Sequence, residues 1–346
     1  MSENELRTTA QAMVAAGKGI LAADESFGTA NKRFQKLGIP TTEEMRRAYR
    51  EMLFTTPGIG EFFSGVILFD ETIRQSTQDG IPFTRVLSEQ GILPGIKLDA
   101  GAKPLAKSPN ELITEGLDGL RDRIAEYYGM GARFAKWRAV ITIGENIPSR
   151  RCIEANAHTL ARYAALCQEG GLVPIVEPEV LMDGSHTIDR SYQVHDEVLT
   201  TVFDELHRYG IDLDQMILKP SMVIAGQDCS QQASVESVAQ ATVKCLLDCV
   251  PASVPGCAFL SGGQSDQKAT EHLNAMNAMF SGKLPWKLTF SYGRALQQAA
   301  MQTWMGKAEN VTSAQHELYR RARCNSAAAL GKYNPDMEKI AVSGRS

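Results

Sequence analysis

A single lysine, Lys219, stands in the apolar run MILKPSMV (residues 216–223), with Met216, Ile217 and Leu218 before it and Pro220 behind it. An ammonium in low dielectric is disfavoured, so such a lysine reaches solvent, finds an anionic partner or gives up its proton. The last outcome makes an amine nucleophile that can condense with a carbonyl, and the resulting Schiff base is an electron sink that permits carbon–carbon cleavage without a metal. Pro220 removes a backbone donor where a regular ladder would continue. Charge recurs in two further strand-like runs, Lys136 with Arg138 in FAKWRAVI and Glu177 with Glu179 in LVPIVEPE. Residues two apart on a strand face the same way, so each pair projects together. Asp24 in GILAADES and Lys97 in GIKLDAG extend the array. Crowding among Lys97, Lys136 and Lys219, together with desolvation, is expected to push a lysine pKa down.

A second signal is the turn SGGQSD, containing Ser261, Gly262 and Gly263. Glycines let backbone N–H groups approach an anion, and Ser265 and Asp266 suit the start of a helix. Taken alone the turn could equally be an ordinary β-turn, since Gly and Ser dominate turns. Ser291 and Arg294 in LTFSYGR add a hydroxyl and a guanidinium suited to phosphate.

Positioning these residues together requires a scaffold. Eight short apolar or β-branched runs end in polar or glycine residues, at 19–26, 65–72, 95–101, 134–141, 172–179, 216–223, 256–264 and 288–294. Helical periodicity is read between them at 41–54, 111–131, 153–170, 192–210, 234–250 and 265–280, and after them at 295–307 and 312–331. Strand and helix in alternation call for a parallel sheet with right-handed crossovers. Eight such units without a linker or a composition shift, and without a dinucleotide-binding G-x-G-x-x-G after the first strand, predict one α/β domain over residues 1–346: a closed (β/α)8 TIM barrel. In that fold the strand C-termini carry the active site, and here they would offer Asp24, Asp70 with Glu71, Lys97, Lys136 with Arg138, Glu177 with Glu179, Lys219, the glycine turn, and Ser291 with Arg294. Any one of them could simply be entering solvent; the array is what points to a charge-compensated site. The tail from about 332, KYNPDMEKIAVSGRS, reads as loosely held.

Bulk properties narrow the function classes. With 43% hydrophobic and 22% charged residues, the 346-residue chain has the composition of a soluble globular protein. A net charge of −4 gives no global attraction to nucleic acid or anionic membrane, and neither a targeting pattern nor an apolar run long enough to span a bilayer is present, so a cytoplasmic protein is expected. Seven cysteines occur without a C-x-x-C pair, and Cys245 and Cys249 at helical spacing are expected to face the core. The six histidines form no H-x-x-x-H pair and His272 reads as structural, so neither metal nor cofactor is expected.

The motifs GILAADES-x-G-T, FAKWR, PIVEPE, LKP-x-M, FLSGGQS and LTFSYGRALQ together resemble the class I fructose-1,6-bisphosphate aldolase family, in the family's order, from about Gly17 to about Tyr333. The resemblance implies a Schiff base at Lys219 on C2 of the ketose. It implies proton shuttling by Glu177 and Lys136, with Glu179 and Arg138 as supporting charges, and Asp24 as the base for the C4 hydroxyl. It implies a C1-phosphate cradle of Ser261, Gly262, Gly263, Ser291 and Arg294, and a C6-phosphate region near Lys97, Ser26, Thr29 and Arg33. The implied products are dihydroxyacetone phosphate and glyceraldehyde 3-phosphate, and the implied assembly is a homotetramer. One departure is that no tyrosine follows Tyr333, where many eukaryotic members end in one that helps protonate the enamine. Water or another group is expected to supply that proton here, with slow release of dihydroxyacetone phosphate. Ser221, where animal members commonly carry asparagine, is given no role. The alternatives are another lysine-dependent aldolase or transaldolase acting on a monophosphate, a zinc-dependent aldolase, which the lack of a histidine cluster disfavours, and a noncatalytic scaffold barrel.

Overall fold

The computed structural model describes residues 3–339. Eight parallel strands close into a barrel: β1 (Gly19–Ala23), β2 (Phe63–Leu68), β3 (Leu93–Lys97), β6 (Phe134–Ile141), β7 (Val173–Val180), β8 (Ile217–Leu218), β9 (Gly256–Phe259) and β10 (Lys287–Tyr292). They lie in chain order around the barrel, with β10 returning to pair with β1. Between β3 and β6 an antiparallel ribbon of β4 (Ala102–Pro104) and β5 (Leu112–Thr114) stands apart from the barrel. The fold is the predicted (β/α)8 barrel, and each of the eight sequence runs overlaps one of its strands.

The period of two along each strand separates two cores. Outward residues such as Leu21, Trp137, Leu218 and Phe259 pack against the surrounding helices. Inward residues Ile20, Ala22, Phe134, Val173, Ile175, Ile217 and Ala258 fill the barrel's centre. Space there is tight: a Cβ on Gly95 would lie 2.2 Å from the Phe134 ring, and one on Gly65 would lie 2.8 Å from it. The bottom is stoppered by a helix the sequence reading did not assign, Glu3–Met13, whose Leu6, Ala10 and Met13 join the inner cluster. Several outer helices start where the sequence supplies a cap: Thr42, Ser149, Thr187, Ser234 and Ser265 each accept a hydrogen bond from the backbone three residues on.

Three expectations are corrected. Residues 111–131 are not one helix: Leu112–Thr114 is strand, and helix begins only at Leu120. Gly116 and Gly119 between them have φ of 125° and 64°, the left-handed region that breaks a helical run. Asp70 and Glu71 do not stand at a strand mouth, because Asp70–Ile73 turns into helix directly after β2. Asp70 accepts from Arg74 and Tyr127, and Glu71 pairs with Arg46 at 2.7 Å, away from the central cavity. The tail is held as far as it is described: Tyr333 is buried, and Glu338 pairs with Arg320 and Arg321. The remainder, including VSGRS and the departure noted there, lies outside the described residues.

Candidate active site

Above the inner apolar cluster the same inward columns turn polar. Ile20 and Ala22 are followed by Asp24, Gly95 by Lys97 and Asp99, Phe134 by Lys136 and Arg138, Val173 and Ile175 by Glu177 and Glu179, and Ile217 by Lys219. The result is a cavity of about 470 Å³ at the C-terminal ends of the strands. Fifteen of the residues singled out from the sequence line it: Asp24, Ser26, Thr29, Arg33, Lys97, Lys136, Arg138, Glu177, Glu179, Lys219, Ser261, Gly262, Gly263, Ser291 and Arg294; Asp70 and Glu71 do not.

Lys219 is 4% exposed, and its Nζ lies 3.1 Å from Glu177 Oε1. Its backbone N–H still donates to Val176 O at 2.8 Å, the last such bond before Pro220 ends the ladder. The next residue repairs the break. Ser221 Oγ accepts from Val180 N and donates to Val180 O, both at 2.9 Å, so the hydroxyl joins the two chains where backbone pairing stops. Ser221, given no role from sequence, therefore anchors the segment that presents Lys219.

Lys136 sits among three carboxylates, with Nζ 2.7 Å from Asp24 Oδ2, 3.5 Å from Glu177 Oε2 and 3.9 Å from Asp99 Oδ2. Burial pulls its pKa down, but those three anions outweigh burial and raise it well above the usual lysine value. The expectation that crowded lysines would be depressed fails for Lys136, because its nearest neighbours are anions. Burial likewise pushes the Asp24 carboxyl up, yet Lys136, Lys219 and Lys97 together hold it at about 2. Glu179 moves the other way: burial, reinforced by Glu177, raises it despite its ion pair with Arg138.

Two carboxylates in the cavity were missed. Asp99 accepts from Lys97 at 3.0 Å, and its i, i+2 spacing from Lys97 in GIKLDAG was the signal that could have found it. Glu25, masked by its neighbour Asp24, pairs with Arg33 at 2.6 Å and Arg50 at 2.8 Å and accepts from Gln297 at 2.9 Å. With these added, six cationic and five acidic side chains among the described residues line the cavity, an excess of cations suited to an anionic ligand.

The far wall is built for such a ligand. Gly262 and Gly263 have φ of 56° and 91°, and a Cβ on Gly263 would lie 2.9 Å from Met182 Sδ, so the chain there needs glycine for both conformation and space. Ser291 Oγ is buried without a hydrogen-bond partner among the described residues, an unmet polar group on the cavity wall. Arg294 Nη2 donates to Gln264 O at 2.7 Å, tying the two loops together. Gln264 Nε2 donates to Ser261 O at 3.0 Å, and its Oε1 lies 2.6 Å from His272 Nδ1. His272, read as structural, is buried directly behind this wall.

His272 and the buried His195 have a consequence for pH. Burial lowers both pKa values from 6.5 to about 4. Between those pH values the unfolded chain binds protons that the native rings refuse, so stability is full above about 6.5 and falls as pH drops toward 4. Urea unfolding across this range is expected to show the loss, and a His195→Gln variant to show a shallower dependence.

Comparisons with known proteins bear on the family and the fold. The family model described as fructose-bisphosphate aldolase class-I matches residues 5–345. A relative from Xanthomonas campestris named probable fructose-bisphosphate aldolase class 1 is 60% identical over 334 residues, covering 96% of this chain and 99% of that protein. A Dictyostelium discoideum fructose-bisphosphate aldolase is 52% identical over 95% of this chain and 93% of its own length. Among solved structures, fructose-bisphosphate aldolase from Plasmodium falciparum, in complex with TRAP and a small-molecule inhibitor, superposes with a TM-score of 0.94 at 48% identity, covering 96% of this chain and 95% of that one. The chain belongs to the class I fructose-bisphosphate aldolase family.

Proposed function

We propose that the cavity carries out the reversible cleavage of fructose 1,6-bisphosphate to dihydroxyacetone phosphate and glyceraldehyde 3-phosphate in the following way. Lys219 Nζ attacks the C2 carbonyl after passing a proton to Glu177, the carboxylate 3.1 Å away. The C2 oxygen leaves as water with protons supplied through Glu177 and the ammonium of Lys136, giving a protonated imine at C2. Asp24 takes the C4 hydroxyl proton as the C3–C4 bond breaks, and the electron pair flows into the imine to form an enamine. Held at about 2 by its neighbours, Asp24 becomes a competent base only when the Lys136 ammonium turns from it toward a substrate oxygen. Glyceraldehyde 3-phosphate departs, C3 is reprotonated, and hydrolysis of the imine frees dihydroxyacetone phosphate and restores Lys219. Arg138 and Glu179 hold the outer charge balance.

The C1 phosphate is assigned to Ser261, Gly262, Gly263, Ser291 and Arg294, and the unpartnered Ser291 hydroxyl is the observation that most supports a ligand there. The C6 phosphate is assigned to the donors that follow β1 and end β3. Lys97 and Arg33 are among them, and Ser26 and Thr29 lie at the N-terminal end of the helix Phe27–Lys36, where backbone N–H groups are free for an anion. The single observation that carries the proposal is a buried lysine against a carboxylate in a cavity lined by two sets of phosphate-type donors. Kinetics on two substrates test it. Arg294→Ala is expected to raise KM for fructose 1,6-bisphosphate and fructose 1-phosphate alike, by roughly 10- to 100-fold. Lys97→Met is expected to raise it for the bisphosphate alone. An unchanged KM in Arg294→Ala for both substrates would refute the C1 assignment. Family likeness supports a homotetramer, which sedimentation would measure. Composition supports a cytoplasmic setting without nucleic-acid or membrane partners.

A further inference from the structure

The C1-phosphate cradle is assembled from two separate segments, residues 261–264 after β9 and residues 291–294, which run from the end of β10 into the next helix. Each segment runs directly into a helix, Asp266–Met279 and Arg294–Trp304. Where the cradle's donors converge therefore depends on how these two helix starts are spaced. A residue on a third helix, Val311–Ala329, reaches both. Arg321 is 2% exposed; its Nη2 donates to Asp266 O at 2.8 Å and to Thr270 Oγ1 at 2.7 Å, and its Nε donates to Ala295 O at 3.3 Å. Its Nη1 pairs with Glu338, which also accepts from Arg320 and from Tyr333 Oη.

A buried cation at two helix N-termini runs against both helix dipoles and against desolvation, so it is not what stability alone would select. What a guanidinium offers there is a planar, rigid fork able to hold several acceptors in one frame, which a flexible lysine cannot do. Glu338 supplies the countercharge that makes the burial tolerable.

We propose that Arg321, neutralised by Glu338, is a positioning residue for the C1-phosphate cradle: it fixes the spacing of the two segments so that Ser261, Gly262 and Gly263 meet the same phosphate as Ser291 and Arg294. The inference rests on the cradle assignment made above. The test uses borohydride trapping on the full-length enzyme with two ketones, dihydroxyacetone phosphate and unphosphorylated dihydroxyacetone. Both condense with Lys219, and only the first uses the cradle. In Arg321→Lys, which keeps a positive charge opposite Glu338, the half-saturating concentration of dihydroxyacetone phosphate is expected to rise roughly 10-fold while trapping of dihydroxyacetone is unchanged. Glu338→Gln, which leaves every guanidinium donor in place, is expected to shift the phosphorylated ligand less and in the same direction. Wild-type saturation by dihydroxyacetone phosphate in Arg321→Lys, or equal loss with both ketones, would overturn the inference. Arg294→Ala, run alongside, reports on the cradle itself: if it leaves dihydroxyacetone phosphate saturation unchanged, the assignment fails, whatever Arg321 does.

Discussion

Replacing Lys219 by arginine is expected to lower kcat for fructose 1,6-bisphosphate cleavage on the order of 10⁵-fold or more, while the protein stays folded and still binds dihydroxyacetone phosphate. The substitution separates charge from chemistry. An arginine at 219 keeps a cation beside Glu177, so the buried carboxylate is not abandoned. A guanidinium does not surrender its proton near neutrality and does not condense with a ketone, so the covalent route is closed. Because a Schiff base is the only electron sink in the proposed sequence, no partial route bypasses it. Steady-state turnover together with equilibrium binding of dihydroxyacetone phosphate gives the answer, and turnover within tenfold of wild type would contradict it.

Lys136→Met is expected to have the second-largest effect, on both stability and rate. Removing the ammonium leaves Asp24, Glu177 and Asp99 facing one another in a buried space, and breaking such a cluster by deleting one partner typically costs about 3–5 kcal/mol. The pH dependence identifies the cause. In the wild type the Asp24 carboxyl is depressed to about 2 from its ordinary 3.8, so its stabilising contribution is present above 3.8 and is lost as pH falls through about 2. Without Lys136 the clustered carboxyls are pushed up instead, so the variant's deficit relative to wild type is expected to be greatest at neutral pH and to shrink toward pH 4. A deficit that does not change with pH would mean that lost packing, not unpaired charge, is responsible. The rate is expected to fall by about 10³-fold, the usual effect of losing a positioned proton donor.

The inward-facing columns explain why so much of the site was legible in the sequence. A strand column that turns from apolar to charged at its C-terminal end is written directly into the chain, as in Phe134, Lys136 and Arg138, or Val173, Ile175, Glu177 and Glu179, and a parallel barrel delivers all such ends to one mouth. Asp70 and Glu71 satisfied the same rule and were misread, since the chain turns into helix immediately after β2; Asp70 then pairs locally with Arg74, and the other partners, Arg46 and Tyr127, lie far away in sequence. Residues acting from behind the wall left no local pattern at all. Arg321 is one arginine on a long polar helix until the fold brings it against Asp266 and Ala295. Ser221 looked like a neutral exchange until Val180 was seen across the gap that Pro220 opens. Strand β5 falls inside the helical reading of 111–131 because glycine interruptions are weaker signals than apolar spacing, and β4 lies in a stretch to which the sequence reading gave no element.

The claim on which the rest depends is covalent attachment of a ketone at one amine. Borohydride reduction in the presence of dihydroxyacetone phosphate, followed by peptide mapping, measures it directly. The account predicts a stable adduct on the peptide carrying Lys219, with no equivalent adduct on those carrying Lys97 or Lys136. An adduct on either of the other two lysines, or full inactivation without any adduct at Lys219, would contradict it.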